Sequence, residues 1–321
     1  MGFDGDQMVN PSVGYLFPGQ GAQYVGMGKD LYDVFASVKD VYMKADEILG
    51  YRLSRLCFEG SEEEITRTLY AQPAIFVTSF AALTVLYERC PEFSPVFVAG
   101  LSLGEFTALV AGRSLTFEDG LRLVSARAEA MEKAAAKNPG TMASIMGLSQ
   151  EDCASVAKES GCQLANLNSP DQFVISGRVD AIEKACGLAE SKGAKRAIRL
   201  KVGGAFHSVL MQDAKESLKQ ALAAIPIKRP SCVFIPNVTA EPTQDPEKIR
   251  SLLVEQLVKP VHWIETMAQA FRQNVPLFLE VGPGKVLKGL ARKCQPSLNV
   301  LPCGTVRDMD QLNETFGKVR S

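Results

Sequence analysis

The segment Phe97-Val98-Ala99-Gly100-Leu101-Ser102-Leu103-Gly104-Glu105-Phe106 constrains the fold more than any other part of the chain. An apolar run leads into Gly-x-Ser-x-Gly and then into a helical stretch through Val110. That order predicts a sharp strand-to-helix turn with the serine Oγ exposed at the end of a sheet. The flanking glycines leave room where side chains would crowd the turn. The helix that follows points its first N–H groups towards developing negative charge. The same pattern also serves as a plain connection between strand and helix, so the chemistry of Ser102 depends on partners elsewhere.

A chain of 321 residues with 46 % hydrophobic content can bury one large core, or one large core with a smaller insert. Its formal net charge of −1 argues against nucleic acid as a partner. No uninterrupted apolar stretch is long enough to span a bilayer, so no membrane contact is expected. Met1 to Asn10 are polar and show neither a signal peptide's apolar stretch nor a transit peptide's arginines. The eight cysteines include no Cys-x-x-Cys pair, which removes zinc spacing; no metal is expected. Free thiols in a reducing compartment are expected instead. The cytoplasm fits that expectation, with a mitochondrial matrix or plastid stroma as alternatives.

At the N-terminus, the strand Val13-Gly14-Tyr15-Leu16-Phe17 runs into Pro18-Gly19-Gln20-Gly21-Ala22-Gln23. A dinucleotide fingerprint is rejected, because Tyr24 stands where the third glycine belongs and no acidic residue follows at the end of a second strand. Gln20 reads either as part of a β-turn or as an amide donor at the sheet's carboxyl edge. Residues 31 to 89 read mainly as helices. Ser61 to Glu64 form a capping-box start, and Gln72-Pro73 is expected to open a long apolar helix. Thr116-x-x-Asp119 caps a helix from about Phe117 to Ala136, on which Leu121, Val124, Ala128 and Met131 share a face. Arg127 lies at the edge of that face. It reads either as a snorkelling surface residue or as a half-buried guanidinium able to grip a carboxylate bidentately.

Asn138-Pro139-Gly140 breaks the helical pattern and marks a domain boundary. From there to Val202 the order is β-α-β-β-α-β, a ferredoxin-like split unit inserted in the larger domain. The boundaries so read are 1–138 with 204–321 for the large domain and 139–203 for the small one. The chain carries only two histidines. His262 precedes an amphipathic helix and reads as a packing or surface residue. His207 follows the glycine-rich bend Gly203-Gly204 at the domain junction, and a serine alcohol needs a positioned base. A helix carrying Leu252, Leu253, Gln256 and Leu257 is expected to stop at Lys259-Pro260. A final strand, Leu277 to Val281, leads into Gly282-Pro283-Gly284.

Phe17-Pro18-Gly19-Gln20-Gly21, Gly100-Leu101-Ser102-Leu103-Gly104-Glu105, Gly204-Ala205-Phe206-His207-Ser208 and Glu280-Val281-Gly282-Pro283-Gly284 stand in an order and spacing that resembles the malonyl-CoA:acyl carrier protein transacylases. The resemblance spans Val13 to about Lys293. It implies an α/β-hydrolase-like large domain with a parallel sheet and nucleophile elbow, plus the inserted ferredoxin-like domain. It further implies a discrete, monomeric acyltransferase that serves fatty-acid synthesis and needs no cofactor. Malonyl-CoA would be its substrate and holo acyl carrier protein its partner. Ser102 would be the nucleophile, and His207 the base, oriented by the main-chain carbonyl of Gln256. Gln20 and the Leu103 N–H would form the oxyanion hole, Arg127 would pair with the malonyl carboxylate, and Asn168 and Met142 would line the gorge. Leu101 departs from the pattern, since many relatives carry histidine there. Phe206 matches the malonyl-selective pattern that crowds an α-methyl group. The alternatives are a serine thioesterase or esterase on the same elbow, a non-catalytic acyl-CoA-binding protein, and an acyltransferase domain of a megasynthase.

Overall fold

The computed structural model describes residues 12–316; the polar N-terminal stretch read above lies outside them. The sequence pattern produces two sheets. The larger holds β1 (Val13–Phe17), β2 (Pro95–Gly100), β7 (Val233–Ile235), β8 (Leu277–Val281) and β9 (Val300–Cys303), all parallel, in the order β7-β2-β1-β8-β9. A parallel sheet needs apolar cover on both faces, and the strand sequences supply it. Tyr15 and Phe17 of β1 pack into one apolar cluster, while Leu16 packs into the other with Phe97 and Phe278. The Phe97 and Phe278 rings meet edge-on at 5.5 Å.

The helix Thr68–Arg89 covers one face of this sheet and begins earlier than expected, so Pro73 lies inside it. Pro73 removes one intrahelical donor. The first turn is held regardless, because Glu132 accepts the Leu69 N–H and pairs with Arg67. By length and a mean hydropathy of 1.6 this helix would satisfy a bilayer span, and most of that stretch is buried inside the protein. Its apolarity is that of a core helix.

The second sheet holds β3 (Thr141–Met146), β4 (Gln163–Ser169), β5 (Gln172–Gly177) and β6 (Arg196–Arg199), antiparallel throughout, in the order β4-β5-β3-β6. With the helices Gln150–Ser160 and Val179–Ser191 this is the split β-α-β-β-α-β unit. Ile145, Phe173 and Ile175 bury one face of it under those helices. The opposite face, with Met142, Val174 and Asn168, turns towards the large sheet. Val261 stitches the two parts together: its N–H donates to the Ala165 carbonyl at 2.8 Å, and its carbonyl accepts the Leu167 N–H at 2.9 Å.

Two differences from the sequence reading concern helix and strand ends. The helix Pro246–Glu255 stops before Gln256, which forms its C-cap. β9 was not foreseen. It is a four-residue edge strand containing Pro302, a residue tolerated only where no neighbour needs its N–H.

Candidate active site

The elbow forms because two glycines permit it. A Cβ on Gly100 would land on the backbone of Gly104, and one on Gly104 would meet the Phe17 carbonyl. Ser102 between them has φ of 51°, a left-handed conformation that side chains adopt at a cost of about 1–3 kcal/mol. His207 is held in the same region, with φ of 55°.

The two side chains meet. Ser102 Oγ lies 2.8 Å from His207 Nε2, and His207 Nδ1 lies 2.7 Å from the Gln256 carbonyl oxygen. A carbonyl only accepts, so Nδ1 carries the proton and Nε2 is left as an acceptor for the serine hydroxyl. The Gln256 carbonyl is free for this because the helix ends there. Its helical partner four residues on would be Pro260, which has no N–H. Burial and, next, the Arg127 charge hold the His207 pKa down to about 4, so the imidazole is neutral at physiological pH.

Arg127 is 1 % exposed, which removes the snorkelling alternative. Its guanidinium donates to Gln72 Oε1 at 2.7 Å, Gln256 Oε1 at 2.8 Å and Ser102 Oγ at 2.9 Å. All three partners are neutral, and its Nε has no acceptor. Burial brings the Arg127 pKa down to about 10, leaving it a cation at neutral pH. Gln20 projects from the loop after β1, half-buried, with Nε2 donating to Thr68 Oγ1 at 3.3 Å. The Leu103 N–H, at the start of the helix Gly104–Ala111, has no protein acceptor among the described residues.

A cavity of about 370 Å³ opens over these groups. Gln20, Ser102, Arg127 and His207 line one side, and Met142 and Asn168 of the small sheet line the other. Phe206 also borders it, and Asn168 Oδ1 is buried without a hydrogen-bond partner. Gln256 sits behind the cavity, reaching it through His207 and Arg127. His262 is apart, at the residue before the helix Trp263–Arg272, with no capping hydrogen bond from its side chain.

Three polar residues escaped the sequence reading. Gln72 holds Arg127. Asn237, just past β7, accepts the Ser102 N–H at 2.6 Å and donates to the Gly100 carbonyl at 2.7 Å. Glu105 accepts the Asn237 N–H and, at 2.5 Å, the Gln256 side-chain amide. Burial pushes its pKa up to about 8 against those two hydrogen bonds and the Arg127 charge. The signal was present for Glu105: it is the one charged residue in the run Gly104–Ala111. Among the described residues, no group of three His, Cys, Asp or Glu side chains is placed to hold a metal ion.

The family described as acyl transferase domain matches residues 14–311. The malonyl CoA-acyl carrier protein transacylase of Bacillus subtilis is 44 % identical over 90 % of this chain and 92 % of its own. The acyl-carrier-protein S-malonyltransferase structure from Bartonella henselae superposes with a TM-score of 0.90 at 38 % identity, covering 95 % of this chain and 99 % of that one. A malonyl-transacylase solved in complex with its type II polyketide acyl-carrier protein gives 0.91 at 35 % identity, over 95 % and 99 % of the two chains. Likeness of this extent in both sequence and structure carries one conclusion: the chain belongs to the malonyl-CoA:acyl carrier protein transacylase family of acyltransferases.

Proposed function

We infer that the protein moves a malonyl group from coenzyme A to the phosphopantetheine thiol of an acyl carrier protein, through an ester on Ser102. The observation that carries the reading is Arg127. A buried guanidinium that contacts only neutral groups, aimed into a cavity beside a nucleophile, is a receptor for an anion. The free carboxylate of a malonyl thioester supplies that anion at the right place.

The proton-transfer steps are proposed for Ser102, His207 and Gln256, which are already in contact. Ser102 Oγ attacks the thioester carbonyl while its proton passes to His207 Nε2. The Leu103 N–H and the Gln20 amide donate to the oxyanion, a contribution worth about 10²–10³ in rate per donor. The C–S bond breaks, and the Nε2 proton goes to the coenzyme A sulfur. The carrier's thiol then gives its proton to Nε2 and attacks the ester, and the proton returns to Oγ as the C–O bond breaks. The Gln256 carbonyl keeps His207 in the required tautomer throughout. Arg127 moves its hydrogen bonds from Ser102 to the malonyl carboxylate. This chemistry uses only side-chain and backbone groups, and we propose that it needs no cofactor. Phe206 walls the cavity, and we propose that it crowds an α-methyl substituent.

The carrier protein as partner follows from the relative solved with one. The eight cysteines are all free thiols, which suits a cytoplasmic setting. All the groups come from one chain, so a monomer suffices, and fatty-acid synthesis is the proposed destination.

The test compares Ser102 acylation by malonyl-CoA and acetyl-CoA in the wild type and in Arg127→Ala. The expected result is strong malonyl preference in the wild type, lost in the variant because malonyl acylation falls far more than acetyl. Unchanged preference in Arg127→Ala would overturn the reading of that residue.

A further inference from the structure

The mechanism leaves Glu105, a buried ionisable group beside the nucleophile elbow, unused. Glu105 lies in the first turn of the helix after the elbow, does not line the cavity, and touches neither Ser102 Oγ nor His207. Its two oxygens nevertheless sit at a branch point. One accepts the backbone N–H of Asn237, whose side-chain oxygen in turn accepts the Ser102 N–H and whose amide donates to the Gly100 carbonyl. The other accepts from Gln256 Nε2, which also donates to the Ser102 carbonyl at 3.0 Å.

The consequence lies in the Gln256 amide. A carboxamide has one donor end and one acceptor end. With Nε2 committed to Glu105 and to the Ser102 carbonyl, Oε1 is turned towards Arg127 Nη2. Both groups facing the Glu105 oxygens are N–H donors with no capacity to accept, so each oxygen accepts and the side chain enforces this orientation. We propose that Glu105 is a positioning residue for the carboxylate receptor: by fixing the Gln256 side-chain amide, it fixes where Arg127 points. The proposal rests on the malonyl-transfer reading.

Glutamine at 105 would keep the shape and break the logic. Its amide offers one acceptor and one donor to two N–H donors, Asn237 and Gln256. The Gln256 amide relieves that conflict only by flipping, which turns its NH₂ onto the Arg127 guanidinium, donor against donor. Aspartate is a larger change of shape, yet it remains an acceptor at both oxygens. A packing role and a positioning role therefore rank the two substitutions in opposite order.

The experiment measures the ratio of malonyl to acetyl kcat/KM for Ser102 acylation, by intact mass, in the wild type, Glu105→Gln and Glu105→Asp. Thermal melting confirms that each variant is folded. The expected result is a loss of about tenfold or more in the ratio for Glu105→Gln, carried by the malonyl term, with Glu105→Asp nearer the wild type. An unchanged ratio in folded Glu105→Gln, or a milder effect for Gln than for Asp, would overturn the proposal. Should Glu105→Gln not fold, Glu105→Asp decides alone: retention of most of the preference supports the proposal, and collapse to the Arg127→Ala level contradicts it. Failure of the wild type to accept malonyl at all would instead sink the functional reading beneath it.

Discussion

The two walls of the cavity are built on opposite principles. On and behind the large-sheet wall, Ser102, His207, Gln256, Asn237 and Glu105 hold one another through hydrogen bonds of 2.5 to 3.0 Å and one shorter contact, with Arg127 Nε left without an acceptor. On the small-sheet wall, Asn168 Oδ1 is buried and unpaired. A satisfied buried network is rigid and specifies one geometry, whereas an unpaired buried acceptor is a group without its partner. The groups around Ser102 are therefore held in one arrangement by the protein itself, while Asn168 Oδ1 on the opposite wall has no protein partner.

Substitutions test that contrast, beginning with the most severe. Ser102→Ala removes the ester-forming atom, and transfer should fall by about 10⁴ or more, measured as malonyl delivered to carrier protein. Gln20→Ala removes the side-chain donor proposed for the oxyanion and should lower kcat by about 10²–10³ with the fold intact. Asn237→Ala strands the Ser102 N–H and the Gly100 carbonyl, and denaturant unfolding should show about 1–3 kcal/mol lost per unpaired group. Asn168→Ala, on the other wall, removes an acceptor that has no partner. Its stability should match or exceed the wild type, and its effect should be confined to a few-fold rise in KM. If Asn168→Ala proved as destabilising as Asn237→Ala, the contrast between the walls would be broken.

The pH profile gives a further check on the first wall. The neutral imidazole is the working form, and the pKa of His207 is held down at about 4 by burial and Arg127. As pH falls, the base is lost only on passing through that value. Acetyl-CoA, which carries no carboxylate, isolates this effect. Its kcat/KM should therefore show no loss near pH 6.5, where an ordinary histidine would titrate.

Much of this arrangement was legible in the sequence where a residue's type and neighbours restrict it locally. Gly100 and Gly104 mark the elbow because no side chain fits there, and the order β-α-β-β-α-β follows from strand and helix periodicity. His207 could be chosen over His262 from its place at a domain junction. Arg127 marks the limit, since its spacing fits an exposed face as well as a buried one. Only packing against Gln72 and Gln256, 55 and 129 residues away, decides it. The partner of Asn237 was hidden for the same reason, and so were those of Glu105, although its charge in an apolar run stood out. Their partners lie more than 130 residues apart in sequence, and no local pattern records such a contact. The end of the helix at Gln256 was misplaced by a few residues. Pro260 nonetheless held the clue that the Gln256 carbonyl would be left free.

If Ser102 carries a malonyl group destined for a carrier thiol, intact mass after brief incubation with malonyl-CoA, with and without holo acyl carrier protein, shows it directly. The expected result is a malonyl adduct on the wild type and none on Ser102→Ala, discharged by the carrier far faster than by water. An adduct that decays at the same rate with or without the carrier would contradict it and point to a thioesterase.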